Sequence, residues 1–232
     1  MAFDALRRDL GQIYRHRPIR VATMVYGAIA LALGATAFAT LPASTVLAVF
    51  AVLLLLNPPL EYLIHRYILH ALVFLGTRLT ARFWIRAHYA HHTDPAQEDI
   101  ILANPFAVAA LVATIVVAGS FAAAGTVVAW AFAAMVLFLF YEVVHFSNHL
   151  PIEYETAYLR NRRRTHALHH YHNETANYGI CFTVIDRLVG TYADSPADVG
   201  RSATVRNLGY DDEMAAKKPL VRLEYEKRRA QP

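Results

Sequence analysis

Two stretches of this chain carry no charged residue, 40 positions from Val21 to Leu60 and 42 from Ile100 to Tyr141. A bilayer core takes about 20 apolar residues per helix, so each stretch has room for two spans. Each also contains a reversal, LPAS at 41–44 and AAAGT at 122–126. The pattern predicts two helical hairpins, 21–40 with 45–70 and 103–120 with 126–147. A soluble protein with two buried hairpins is the alternative. Composition argues against it, because only 17% of the 232 residues are charged and 56% are hydrophobic, where soluble domains carry about 25% charged.

Segment 21–40 follows a basic N-terminus and resembles a signal peptide. Its apolar run exceeds the roughly 7–15 residues of such a core, and a second run follows at once, so it reads as a retained span. The opening MAFDALRRDLGQIYRHRPIR, residues 1–20, has apolar and basic residues at helical spacing and is expected to lie on the membrane surface. The turns inside the hairpins are uncharged. The N-terminus (Arg7, Arg8, Arg15, Arg17, Arg20), the middle segment (Arg66, Arg78, Arg82, Arg86) and the C-terminal part (Arg160, Arg162, Arg163, Arg164) are basic. The positive-inside rule puts all three, and both termini, on the cytoplasmic side. The net charge of +4 therefore reads as topology and contact with anionic lipid, not nucleic-acid binding. The single cysteine, Cys181, excludes an intrachain disulfide and a cysteine-based metal cage.

Eleven of the 12 histidines fall in four groups. HRYILH holds His65 and His70, HYAHH holds His88, His91 and His92, HFSNH holds His145 and His149, and THALHHYH holds His166, His169, His170 and His172. Two groups close the second and fourth predicted spans, and the others follow each hairpin, so all four can converge on one cytoplasmic site. Positions three and four apart share a helix face. In HxxHH the first histidine is therefore near both later ones, while those two diverge by about 100°, which lets one short helix feed two metals. His145 and His149 can chelate one ion together. His65 and His70, five apart, suit a frayed helix end or ligation from two sides. His16 and the Arg-rich RNRRR read instead as interfacial side chains, and His172, outside the repeated spacing, is either such a side chain or a further ligand.

Imidazole suits zinc, copper, iron and nickel. Ten histidines exceed the four ligands of a structural zinc or the three of a catalytic one, and suit two ions with about five each. An all-histidine pair of sites beside a bilayer, without an evident bridging carboxylate, points to oxygen-activating iron.

The order HxxxxH, HxxHH, HxxxH, HxxHH, with helical hairpins between, resembles the fatty acid hydroxylase and sterol desaturase superfamily. The segment HNETANYGICFTVIDRLVGTY is similar to that family's NYG…D…GT segment, and the likeness runs over roughly 45–195. The resemblance implies an all-α membrane protein with about four transmembrane helices in two hairpins under a cytoplasmic helical cap. It makes 21–195 the catalytic domain and leaves 196–232 as a basic cytoplasmic tail. It implies as ligands His65, His70, His88, His92 and His169 for one metal, and His91, His145, His149, His166 and His170 for the other. The metals would be two irons, with zinc as a substitute in purified samples and O2 as co-substrate. The implied reaction hydroxylates or desaturates an unactivated C–H bond of a membrane lipid: an acyl chain, sphingoid base, sterol or carotenoid.

Ligating histidines usually give their other N–H to a carboxylate or carbonyl. Glu61 and Glu142, one turn and three residues before His65 and His145, are candidates for that support, with an interfacial salt bridge as the alternative. Asn148, Asn173, Asn177 and Asp186 are weaker candidates, and NYG reads as a turn in which Gly179 takes a φ that other residues avoid. Phe74, Phe83, Trp84, Phe138, Phe140, Tyr141 and Phe146 line a substrate path or simply pack. A metal transporter would need coordinating groups deep in its spans, and a zinc hydrolase an adjacent Glu base as in HExxH; neither pattern is present. The chain has no spare cysteines for an iron–sulfur module, so electrons are expected from a separate ferredoxin or cytochrome with its reductase, docking on the basic C-terminal surface. The short, alanine-rich chain without a retention tail points to a bacterial plasma membrane, or to the endoplasmic reticulum in a eukaryote.

Overall fold

A segment crossing lipid must satisfy its backbone hydrogen bonds internally, and a helix does so alone. The computed structural model describes residues 2–72 and 75–230, and among the described residues there is helix but no strand. Helix α1 (Ala2–Ile13) precedes the first hairpin, α2 (Arg17–Thr40) and α3 (Ala43–Ile64). Pro18 in the first turn of α2 and Pro42 before α3 set both starts, where a missing N–H costs nothing. Helix α3 continues as a π-helical turn over His65–Leu69.

The middle segment forms α4 (Arg78–Trp84), a second π-helical turn over Ile85–Tyr89, and the one-turn helices α5 (Ala90–Thr93) and α6 (Glu98–Ile101). The second hairpin is α7 (Pro105–Ala122) and α8 (Val127–His149). Among the described residues four helical stretches are long and apolar enough to cross a membrane: Arg17–Thr40, Ala43–Leu69, Glu98–Ala122 and Val127–His149. They fit a multi-pass membrane protein and overlap the four expected spans.

Helix α8 is the axis of the bundle. Half of its apolar window is buried, against 17% for each other span, and α2, α3 and α7 all pack on it. Small residues allow the close approach, as is common between helices in lipid. A Cβ at Gly119 of α7 would fall 2.2 Å from the Trp130 indole, and one at Gly34 of α2 would fall 2.8 Å from the Phe132 ring. Ala129, Ala133 and Ala134 complete that seam.

One end of the bundle carries a cap. It consists of the middle segment, α9 (Ala157–Tyr171), α10 (Val184–Val189), α11 (Asp212–Lys217) and α12 (Pro219–Arg229). Segment 196–230, set apart by its charge as a tail, is folded onto the cap. Leu208, Tyr210, Ala215 and Val221 share a core with Leu75, Trp84, Ile85 and Ile100, and Arg82 bonds Glu224 at 2.6 Å. At the other edge α1 is fastened by Asp9. This fully buried carboxylate accepts the N–H groups of Glu155 and Thr156, both at 2.9 Å, just before α9 begins. Ile13 and Ile19 pack there with Phe146, Leu150 and Leu159, while Phe3 and Leu6 stay exposed.

Candidate metal centre

Four elements deliver the imidazoles. The π turn after α3 brings His65 and His70, and the second π turn with α5 brings His88, His91 and His92. The end of α8 brings His145 and His149, and the last turns of α9 bring His166, His169 and His170. The π turn resolves the spacing of five in HRYILH. On an α-helix those residues diverge by about 140°; an i→i+5 turn brings them round to one side, and the N–H of His70 bonds the carbonyl of His65 at 3.1 Å.

The ten rings form two groups of five, with ligand atoms in each within 4.8 Å of one another. His65, His70, His88, His92 and His169 make the first group, and His91, His145, His149, His166 and His170 the second. His70 and His149 are half-buried and the other eight are buried. In each HxxHH run the residues four apart share a group and the third crosses to the other. The groups adjoin, with the His92 and His170 ring centroids 4.1 Å apart. His172 lies outside both and bonds the Val199 carbonyl, and His16 pairs with Glu98.

The donor set fits metal ions. Burial, and then the neighbouring imidazoles, pushes the pKa of His70, His88, His91, His166 and His170 well below the ordinary histidine value. Burial also leads the downward shifts of His92 and His169. In those two neutral rings the Nδ1–H donates to Val205 O at 3.2 Å and to Ala176 O at 2.7 Å. Each Nε2 is then a bare lone pair, and the two stand 3.2 Å apart. Lone pairs facing one another in a buried site repel unless a cation lies between them. His65 repeats the arrangement, with Nδ1 on Tyr178 O and Nε2 3.1 Å from His88 Nε2. The second group has Nε2 separations of 3.2, 3.3 and 2.8 Å along His91, His145, His149 and His166, and both His170 nitrogens lack a hydrogen-bond partner among the described residues. Ligand nitrogens at about 2.1 Å from one ion stand about 3.0–3.4 Å apart as neighbours, close to these values.

Three of the acidic and amide candidates, Glu61, Asp186 and Asn177, act through the loop that carries the Ala176 and Tyr178 carbonyls. Glu61 Oε1 accepts the N–H of Ile180 and, at 2.8 Å, of Cys181, holding the loop beside His65. Asp186, fully buried, accepts the N–H groups of Tyr178 at 2.9 Å and Gly179 at 2.7 Å and the Thr191 hydroxyl at 2.7 Å. Asn177 donates to Thr165 O and Ala193 O and accepts the Ala193 N–H, tying the loop to α9. Glu142 accepts the Ala103 N–H with both oxygens, fixing the entry to α7. Asn173 bonds within its own loop and to Gly200 O, while the buried Asn148 amide has no partner among the described residues.

The turn at NYG differs from expectation in one respect. The left-handed residue is Asn177, at φ 55°, not Gly179. Gly179 is required because a Cβ there would meet Phe182 O at 1.9 Å and Asp186 Oδ2 at 2.7 Å. Among the aromatics, Tyr141 stacks on His145 at 5.4 Å and stands at the centre. Trp84 packs in the cap and donates to Leu69 O, bracing the first π turn. Phe146 is buried in packing, Phe138 packs on Tyr26, and Phe83 and Phe140 are exposed; Phe74 lies outside the described residues. The sequence reading missed the three carbonyls of Ala176, Tyr178 and Val205. Every residue has a carbonyl, so nothing in the sequence singles these out.

Residues 50–191 match the sequence model of a family described as fatty acid hydroxylase. Fatty acid 2-hydroxylase from Rattus norvegicus is 24% identical over 158 residues, which cover 68% of this chain and 42% of that protein. The chain thus spans well under half the length of that relative. A solved structure of full-length scs7p, in which only the hydroxylase domain is visible, is similar with a TM-score of 0.67 and 21% identity, covering 79% of this chain and 69% of that one. At that identity the likeness is one of fold.

Proposed function

The chain belongs to the fatty acid hydroxylase family, and from that premise we propose that it is a membrane-bound lipid hydroxylase whose two histidine groups each hold an iron ion. The observation that carries the reading is the pairing of bare, buried Nε2 atoms, anchored from behind by carbonyls, in two groups of five. Bound iron supplies the chemistry in which O2, two electrons and two protons convert a C–H bond to C–OH and one water.

The chain's own residues do the rest. Carbonyls of Ala176, Tyr178 and Val205 hold three rings in the tautomer that presents Nε2. Tyr141 packs flat on His145 and keeps that ring's face dry. Burial of eight rings excludes bulk water, which protects a strongly oxidising centre from side reactions. Because His65, His70, His145 and His149 close two spans, the centre sits at the membrane surface, where a lipid in the bilayer raises its reactive carbon to it. The basic flanks support a cytoplasmic side for this surface and for both termini.

The substrate is a membrane lipid, with an acyl chain first among the candidates because the rat relative is named for a fatty acid. Sphingoid bases, sterols and carotenoids are the other members of the class, and desaturation is the alternative outcome of the same hydrogen abstraction. Electrons come from a separate ferredoxin or cytochrome with its reductase. Zinc occupies the groups in samples purified without iron.

Comparative lipid mass spectrometry tests the proposal. Cells express the intact chain or a His169→Ala, His170→Ala variant under 16O2 or 18O2, with a competent reductant. A lipid whose added mass follows the oxygen isotope, only with the intact chain, is the expected result, and loss of two hydrogens marks a desaturase. Unchanged acyl, sphingoid, sterol and carotenoid pools refute lipid oxidation.

A further inference from the structure

At the seam between α4 and α12 the cap carries charge and exposed apolar surface that the roles above leave unused. Leu79 and Phe83 of α4 stand four apart and share a helix face, as do Arg78 and Arg82 beside them. Ala81 and Trp84 turn the other way, into the core they share with Val221 of α12. Leu79 is 78% exposed, and Phe83 and Leu223 of α12 are exposed as well. The Trp84 indole N–H donates to Leu69 O at 2.7 Å, which holds α4 against the end of the span Ala43–Leu69. The seam therefore lies at the depth of the membrane interface.

Three cations close on one carboxylate here. Glu224, its side chain 4% exposed, takes Arg82 Nε at 2.6 Å, Lys227 Nζ at 3.5 Å and Arg78 Nε at 4.0 Å. The side chains of Arg78, Arg82 and Lys227 remain 70%, 63% and 58% exposed. One buried negative charge cannot neutralise three positive ones, so the seam presents positive charge outward. The other carboxylate of α12, Glu226, is exposed and is followed along the helix by Lys227, Arg228 and Arg229. Basic and apolar side chains exposed together are the pattern of a helix lying in a lipid headgroup layer. There the basic stems reach phosphate and the apolar side chains enter the acyl boundary. An acidic protein in the cytosol would match the charge, but the bond from Trp84 to the end of a span puts these apolar side chains at lipid.

We propose that the seam of α4 and α12 is a docking site for an anionic glycerophospholipid of the bilayer. Arg78, Arg82 and Lys227 hold its phosphate, and Leu79, Phe83 and Leu223 sit among its acyl chains. The site is separate from the metal centre and does not depend on the reaction carried out there. It bears on that centre through the chain itself. Helix α4 runs directly into the π turn Ile85–Tyr89 and then α5, which carry His88, His91 and His92. A lipid bound to α4 thus steadies the element that feeds both histidine groups.

Native mass spectrometry of the full chain in detergent tests this with dioleoyl phosphatidylglycerol and dioleoyl phosphatidylcholine, which share acyl chains and differ in net charge. Each Lys or Arg at an anionic surface adds about fivefold in affinity, so the two uncompensated charges give the first lipid bound a preference of about 25-fold for phosphatidylglycerol. Arg78→Gln with Lys227→Gln leaves Arg82 paired with Glu224 and is expected to bring that preference to about twofold or less. Leu79→Ser with Phe83→Ser keeps the charges and is expected to weaken both lipids at least about tenfold without changing their ratio. Phosphatidylglycerol should also raise the unfolding temperature of wild type and not that of the charge variant. Circular dichroism and metal content establish that each variant folds. Lys227→Gln alone, expected to lower the preference about fivefold, carries the prediction if the double variant does not fold. Equal affinity of wild type for the two lipids, an unchanged preference in the charge variant, or displacement of the lipid by glycerol 3-phosphate at equal concentration overturns the proposal. So does capture of an acidic ferredoxin by wild type and not by the charge variant without any lipid preference, which assigns the face to a protein.

Discussion

Replacing Asp186 by Asn should empty the first histidine group before the second. Asp186 is fully buried and receives three donors, the N–H groups of Tyr178 and Gly179 and the hydroxyl of Thr191. An Asn keeps one oxygen for Tyr178 and Thr191 but turns an NH2 toward the Gly179 N–H. The loss of a bond to a charged group is worth about 1.5–3 kcal/mol, and the orphaned buried N–H adds about 1–3 kcal/mol. These overlap, so a total near 3 kcal/mol is the working figure. The loop cannot shift cheaply to recover it, because Gly179 is already close enough to Phe182 O to exclude a Cβ. The loosened loop carries the carbonyls of Ala176 and Tyr178 that orient His169 and His65, both in the first group. Loss of such outer support typically costs about 10–100-fold in metal affinity. The second group takes no Nδ1 support from this loop. The assay is a chelator titration of iron-loaded protein with metal counted per chain, alongside thermal unfolding. Asp186→Asn should release one ion at a chelator concentration lower by one to two decades and the other near the wild-type value. Simultaneous release of both ions, or retention of both at an unchanged unfolding midpoint, would refute the reasoning.

Gly119→Leu should push α7 off α8, since the first added carbon already meets Trp130 at 2.2 Å; overpacking of this kind costs about 1–3 kcal/mol, read as a lower unfolding temperature in detergent with metal content unchanged. Lowering the pH below about 6.5 should release metal and destabilise the fold. His88, His91, His166 and His170 have depressed pKa values in the fold, so the unfolded chain takes up their protons first, and stability present at neutral pH is lost as pH falls; a flat metal content down to pH 5 would contradict this. His172→Ala should keep both ions while His169→Ala loses the first, because His172 only bonds Val199 O and His169 belongs to a group; metal counting on the two purified variants decides it.

The four spans were readable from charge spacing alone, because a bilayer core admits about 20 apolar residues and few charges wherever the helix later packs. The placement of histidine clusters at the ends of spans was equally local, being a matter of order along the chain. Three features were decided only by the folded molecule. The spacing of five between His65 and His70 implied divergence on an α-helix, and it was the π turn, braced by Trp84 on Leu69 O, that brought both rings to one group. Asn177 and not Gly179 took the left-handed conformation, because the glycine was needed for a close approach by Phe182 that no local pattern displays. Segment 196–232 was expected as a basic cytoplasmic tail, and its described part packs on the cap and lends the Val205 carbonyl to His92. Sequence fixes which side chains have the chemistry and how they repeat along one helix. Which imidazole reaches which group, and which of many identical carbonyls stands behind it, depends on how separate elements pack, and that is set by shape across distances the local pattern does not span.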